Sequence, residues 1–82
     1  MVGILKSVKP LENFILEAEF ADGTVKQYDV KPLSNEIPEF SELVSNPDLF
    51  REAEVICCGY AVAWNDVLDL ASEEIWDNGI TV

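Results

Sequence analysis

At 82 residues, with 49% apolar side chains and 16 acidic against five basic residues, the chain has one small core to build and a formal charge of −11. A chain of this size buries only roughly 60–65% of the surface it exposes when unfolded, so most large side chains are committed to packing. Affinity for DNA and RNA rests on Lys and Arg neutralising phosphates, and anionic membranes repel a chain of this charge. Neither direct nucleic-acid binding nor membrane association is therefore expected.

Residues 1–82 read as a single domain with no linker or low-complexity stretch. Met1-Val2-Gly3 lacks the positive start and apolar run of a secretory leader, and no segment approaches the roughly 20 apolar residues of a membrane span. The cytoplasm is the expected location.

In chain order, "GILKSVKPL" predicts a first strand ending near Val8, with Pro10 halting the ladder for want of a donor. "FILEAEFADGTVKQYDV" predicts a hairpin, because Phe14, Leu16, Ala18 and Phe20 alternate with Ile15, Glu17 and Glu19. Two registers compete. A two-residue Asp22-Gly23 loop sets Leu16 against Asp29. A three-residue Ala21-Asp22-Gly23 loop sets Leu16 against Tyr28 and keeps Glu17 beside Gln27 on the wet face. The buried face decides for the second, with Gly23 left-handed. "VKPL" recurs at Val8–Leu11 and Val30–Leu33 and reads as a repeated strand exit.

The middle is helical. Pro38 suits a first turn, and Phe40, Leu43 and Val44 share a face. Asn46 caps a second short helix that opens on Pro47 and Asp48. "EVICCGYAVAWN" predicts a second hairpin with a Gly59-Tyr60 turn, Cys57 facing Val62 and Val55 facing Trp64. In "SEEIWDNG", Ser72 serves as cap and Gly79 as a left-handed stop. The expected fold is α+β: a small antiparallel sheet, made of a three-strand meander plus a second hairpin, packed with two short helices and a C-terminal helix.

No pattern of catalytic residues emerges. The chain has no histidine, which removes Ser-His-Asp and Cys-His arrangements, and it has no glycine-rich phosphate loop. Cys57 and Cys58, placed on a strand, point to opposite faces and are expected to be buried and inert. Asp66 and Asp69, followed by Glu73, Glu74 and Asp77, offer oxygen ligands for a divalent cation, but without an EF-hand spacing; helix capping explains most of them. No cofactor is expected. Trp64 reads as core, Trp76 as either core or interface. Tyr28 joins Trp64 and Asp69 as a candidate for a shallow ligand pocket. Asp29 is either a binding residue or a strand end bonded to local backbone. The candidate binding residues are thus Trp64, Asp66, Asp69, Trp76, Tyr28 and Asp29.

Three ordered segments, "F-x-D-G-x-V-x-x-Y-D-V-K-P-L", "N-P-D-L-F" and "W-N-D-x-L-D-L-x-x-E-x-I-W-D-N-G", resemble the bacterial domain-of-unknown-function family DUF2442 over about residues 8–79. Trp64, Asp66, Asp69 and Leu70 fall in its most recognisable block, with Ser72 where proline is frequent and Trp76 where tyrosine is usual. The resemblance implies a small α+β protein, sometimes fused to a repressor-like helix-turn-helix and often encoded beside a second small protein, as in toxin–antitoxin pairs. It implies no catalytic residues. No helix-turn-helix follows Gly79, in keeping with the expectation of no nucleic-acid contact.

These readings lead to a non-enzymatic interaction module, antitoxin-like, whose partner is a basic small protein encoded nearby. The alternative is a domain sensing a small ligand or metal ion. Hairpin sheets leave open edges, and a homodimer through an edge strand or the terminal helix is one arrangement that covers them.

Overall fold

A computed structural model describes residues 3–82. The protein has an α+β fold with two antiparallel sheets. The larger is built from β1 (Leu5–Pro10), β2 (Ile15–Phe20), β3 (Val25–Asp29) and β7 (Ile80–Thr81), in the spatial order β1-β2-β3-β7. The smaller is β4 (Glu54–Ile56), β5 (Ala61–Ala63) and β6 (Asp69–Ala71), in that order. Between β3 and β4 in the chain come α1 (Leu33–Glu36), a 3-10 turn at Pro38–Phe40, α2 (Ser41–Ser45) and α3 (Pro47–Phe50). Helix α4 (Ser72–Asn78) follows β6.

The β2–β3 hairpin has the three-residue register. Leu16 pairs with Tyr28 and Glu17 with Gln27. Gly23 is left-handed at φ 92°. Every second residue of β2, namely Leu16, Ala18 and Phe20, is fully buried, and a one-residue slip would turn all three to solvent. On the wet face the Gln27 amide donates to Glu17 (3.2 Å). Asn46 caps α3 as its sequence predicts, accepting from the Leu49 amide, and Pro47 fills the first helical position.

Several expectations are corrected. β1 continues to Pro10 rather than stopping at Val8, because it is an outer strand and Pro10 is its last residue, where no ladder donor is required. β2 begins at Ile15. Phe14 belongs to a preceding 3-10 turn with a left-handed backbone (φ 58°). Helix α1 and the short strands β6 and β7 join the expected elements. β6 makes the second hairpin a three-stranded sheet, and β7 adds a fourth strand beside β3. Ser72 is not a cap; it is a buried residue inside α4, and Ala71 holds the cap position without a side-chain bond. Gly79 is extended (φ −74°, ψ 156°), since the chain passes straight from α4 into β7.

The second hairpin is the largest difference. Val55 pairs with Val62 and Ile56 with Ala61, which shortens β4 and leaves a four-residue connection, Cys57 to Tyr60. Cys57, Cys58 and Gly59 are all left-handed, at φ 53°, 57° and 93°. Both cysteines are exposed free thiols rather than buried strand residues. The reason lies at Gly59, which is buried against β1. A Cβ there would come within 2.6 Å of the Leu5 carbonyl oxygen. The close approach of the loop to the β1 backbone takes the cysteines out of the ladder.

The core runs through both sheets, with Leu16, Phe20, Val30, Leu43, Val62, Leu68 and Ile75 at its centre. An aromatic series crosses it. Phe14 meets Phe50 edge-on at 5.4 Å, Phe50 stacks on Trp64 at 6.3 Å, and Trp64 meets Phe40 edge-on at 6.0 Å. These contacts tie the entry to β2, α3 and the smaller sheet into one unit.

Candidate functional site: an acidic groove at Tyr28 and Glu74

Tyr28 leaves β3 pointing inward, opposite Leu16, and only its hydroxyl reaches the edge of the core. Helix α4 brings Glu74 to meet it. The phenol donates to Glu74 Oε2 at 2.9 Å, and the Asn78 amide, one helical turn further on, donates to the same oxygen at 2.9 Å. From the other side, α1 contributes Leu33 and Glu36. The result is a groove of about 450 Å³ with Tyr28 and Leu33 at its base and Asp29, Glu36 and Glu74 around it. Ile80, at the start of β7, is 73% exposed on its rim.

The electrostatics are one-sided. Among the described residues, only Asp29 of the three carboxylates has a cationic partner, Lys31 at 2.9 Å, and Asp29 also accepts from the Lys31 backbone amide. The phenol of Tyr28 is held well above the usual phenol range. Burial is the largest cause, followed by the bond to Glu74 and the negative charges of Glu74, Glu36 and Asp29. Tyr28 is therefore a neutral donor committed to Glu74, and the groove offers carboxylate acceptors beside an apolar floor. Such a surface suits a cation with an apolar neighbour.

The six sequence candidates do not form one site. Tyr28 and Asp29 line this groove. Trp64, Asp66 and Asp69 line a separate concavity of about 380 Å³, together with Glu54. The proposed grouping of Trp64, Tyr28 and Asp69 around one pocket is not what the fold produces. Trp64 is core: it is 5% exposed and its indole N–H donates to the Phe50 carbonyl at 3.1 Å. Asp66 sits on an exposed turn that Asn65 organises, its side-chain oxygen accepting from the Val67 and Leu68 amides. Asp69 lies on β6, separated from Glu54 by the Ala63 position of β5. Trp76 belongs to neither hollow. It packs edge-on against Phe20 at 4.9 Å, with the Lys26 ammonium 5.1 Å from its ring. Among the described residues, no three Asp, Glu, Cys or His side chains converge as a metal site.

Sequence reasoning does not single out Glu36, Asn78, Leu33 or Ile80, and it marks Glu74 only as a cation-ligand or helix-capping acid, not as a partner of Tyr28. The Glu74/Asn78 spacing of four is readable as a shared helix face. Nothing local connects that face to Tyr28, which lies 46 residues earlier.

A family model described as a protein of unknown function, DUF2442, matches residues 5–81. The chain belongs to DUF2442. Within the DUF2442 match fall all three of the segments that carry the resemblance, and both sides of the acidic groove. No curated protein matches the chain. Among solved structures it is similar to a candidate DNA-binding protein from Nitrosomonas europaea. The TM-score is 0.71 at 21% identity, over 89% of this chain and 47% of that one. At that identity the likeness shows a shared fold, and the chain spans about half the length of that protein.

This likeness corrects one expectation. Net charge argues against nucleic acid, yet a protein with this fold is a candidate DNA-binding protein. Net charge sums the whole surface, whereas phosphate contacts depend on where a few cations lie and on whatever the rest of a longer chain brings. Net charge is thus not a ground for excluding nucleic acid from this fold. As for membranes, no helix among the described residues is long and apolar enough to cross one.

Proposed function

We propose that this DUF2442 domain is a non-enzymatic protein-interaction module that docks a partner segment in the Tyr28–Glu74 groove. The segment presents a lysine or arginine side chain next to an apolar one. The observation that carries this reading is the pairing of an apolar floor, Leu33 and Tyr28, with Glu36 and Glu74, neither of which has a cationic partner among the described residues. A cation entering the groove gains both carboxylates, and Ile80 on the rim gives an apolar neighbour somewhere to rest. Electrostatic matching of this kind sets specificity and association rate more than affinity. An antitoxin-like role, in which a bound partner is silenced, is the form of this reading that the paired-gene arrangement in the family supports. The alternative of a small-ligand sensor uses the same groove with a free organic amine as the cation.

A second reading follows from the fold likeness: the domain serves a DNA-associated regulator. Fluorescence anisotropy with a mixed-sequence duplex at low and at physiological salt tests it. Saturable binding supports this reading, and unchanged anisotropy at both salts removes it.

For the leading reading, a display selection of random peptides on the immobilised chain is the test. The expected outcome is enrichment of peptides carrying Lys or Arg. Their binding should weaken about two- to fivefold in Glu36→Gln or Glu74→Gln, as befits loss of one partly exposed charge pair. Enriched peptides that bind both variants as tightly as the parent chain would overturn the reading.

A further inference from the structure

The loop at Cys57–Cys58 has no part in the groove, and its geometry changes what its two thiols can do. Adjacent residues on a strand send their side chains to opposite faces. Here both residues are left-handed, at φ 53° and 57°, with Gly59 continuing the turn at 93°. In a helical turn of either hand successive side chains diverge by roughly 100–120° rather than the 180° of a strand, so the two thiols are no longer sent to opposite faces. Both side chains are exposed.

The turn is held on both flanks. The Tyr60 amide donates to the Cys57 carbonyl (3.1 Å), and the Ser72 amide donates to the Tyr60 carbonyl (2.9 Å). Gly59 is buried against β1, as described above. A left-handed conformation at two successive non-glycine residues is costly and persists only where surrounding structure enforces it. The two thiols are therefore presented by a fixed backbone, not by a loose loop.

We propose that Cys57 and Cys58 form a two-thiol chelating site for a soft, thiophilic species of the trivalent-arsenical class. The exchange is free of redox chemistry. Two As–S bonds form, two As–OH bonds break, and each departing hydroxide takes a thiol proton and leaves as water. A chelate suits this pair better than a disulfide. Adjacent Cα atoms lie about 3.8 Å apart, below the usual span of about 4.4–6.8 Å for bridged cysteines, while an inserted atom lets the sulfurs stay further apart. Thiolates are also the ligands that soft centres select. Trivalent arsenic is carried near neutral pH as an uncharged hydroxide, so the charge of −11 does not repel it.

The test uses the full chain and phenylarsine oxide. The expected result is one arsenical per chain by intact mass, with both thiols lost to a chromogenic thiol reagent in one step. The adduct should survive excess monothiol and be released by a small dithiol. Because the ligand would bind the native turn, the unfolding midpoint should rise. Cys57→Ser and Cys58→Ser, each checked for an unchanged circular dichroism spectrum, should lose the adduct to monothiol and show no rise. An adduct on a single thiol, retention by either serine variant, or a lowered midpoint in the parent chain would overturn the proposal.

Discussion

The hydroxyl of Tyr28 donates to Glu74 Oε2 at 2.9 Å, and this bond joins β3 to α4 across 46 residues of sequence. It fixes the depth and the charge of the acidic groove at once. Replacing Tyr28 by Phe should cost about 1 kcal/mol in urea unfolding, the net worth of one partly buried hydrogen bond to a charged acceptor.

The same bond predicts a pH response. Folding raises the Tyr28 pKa, so the native state holds the phenol proton more tightly than the unfolded chain does. The associated stability is complete below the unfolded value of about 10 and falls as pH rises beyond it. Tyr28→Phe lacks the titrating group. Urea midpoints measured between neutral pH and the alkaline range should therefore decline less steeply above about pH 10 in the variant than in the parent. Equal slopes would show that Tyr28 is not the group responsible.

The family-block residues divide into core and surface, and mutation should separate them. Trp64→Phe loses the indole bond to Phe50 and part of the aromatic series, and should cost about 2 kcal/mol. Asp66→Asn and Asp69→Asn, on exposed positions, should stay within about 0.5 kcal/mol of the parent. Chemical denaturation followed by circular dichroism measures all three.

Gly23 and Gly59 share a left-handed backbone but differ in surroundings. A Cβ at Gly23 would meet nothing within 4 Å, whereas at Gly59 it would strike Ile4 and the Leu5 carbonyl. Gly23→Ala should cost about 1 kcal/mol from backbone strain alone. Gly59→Ala should cost clearly more, because β1 must move as well. Similar losses at both positions would mean that the loop is not seated on β1.

A smaller effect is expected at α3. Asn46→Ala removes the side-chain acceptor for the Leu49 amide and should lower stability by about 1 kcal/mol in the same denaturation assay.

What the sequence makes legible follows from where the determining forces are local. The β2–β3 register is readable because alternation at Leu16, Ala18 and Phe20 admits only one pairing that buries all three. The Asn46 cap is readable because its donor, the Leu49 amide, lies three residues away. The Cys57–Tyr60 loop is not readable. Its residues are apolar and continue a strand pattern, and the force that breaks the strand is the contact between Gly59 and β1, more than fifty residues upstream. β6 and β7, three and two residues long, carry too few positions to show a period and exist because neighbouring strands supply their bonds. The groove suffers in the same way: Tyr28 and Asp29 are candidates on sequence grounds, but Glu36 and Glu74 reach them only through the packing of α1 and α4.

Chemical-shift mapping of the isotope-labelled chain with a selected cationic peptide tests the central claim most directly. The account predicts salt-sensitive shifts at Tyr28, Leu33, Glu36, Glu74 and Ile80, with the Trp64–Asp69 hollow and the Cys57–Tyr60 loop unmoved. Shifts centred on either of those two regions, with the Tyr28–Glu74 groove silent, would contradict it.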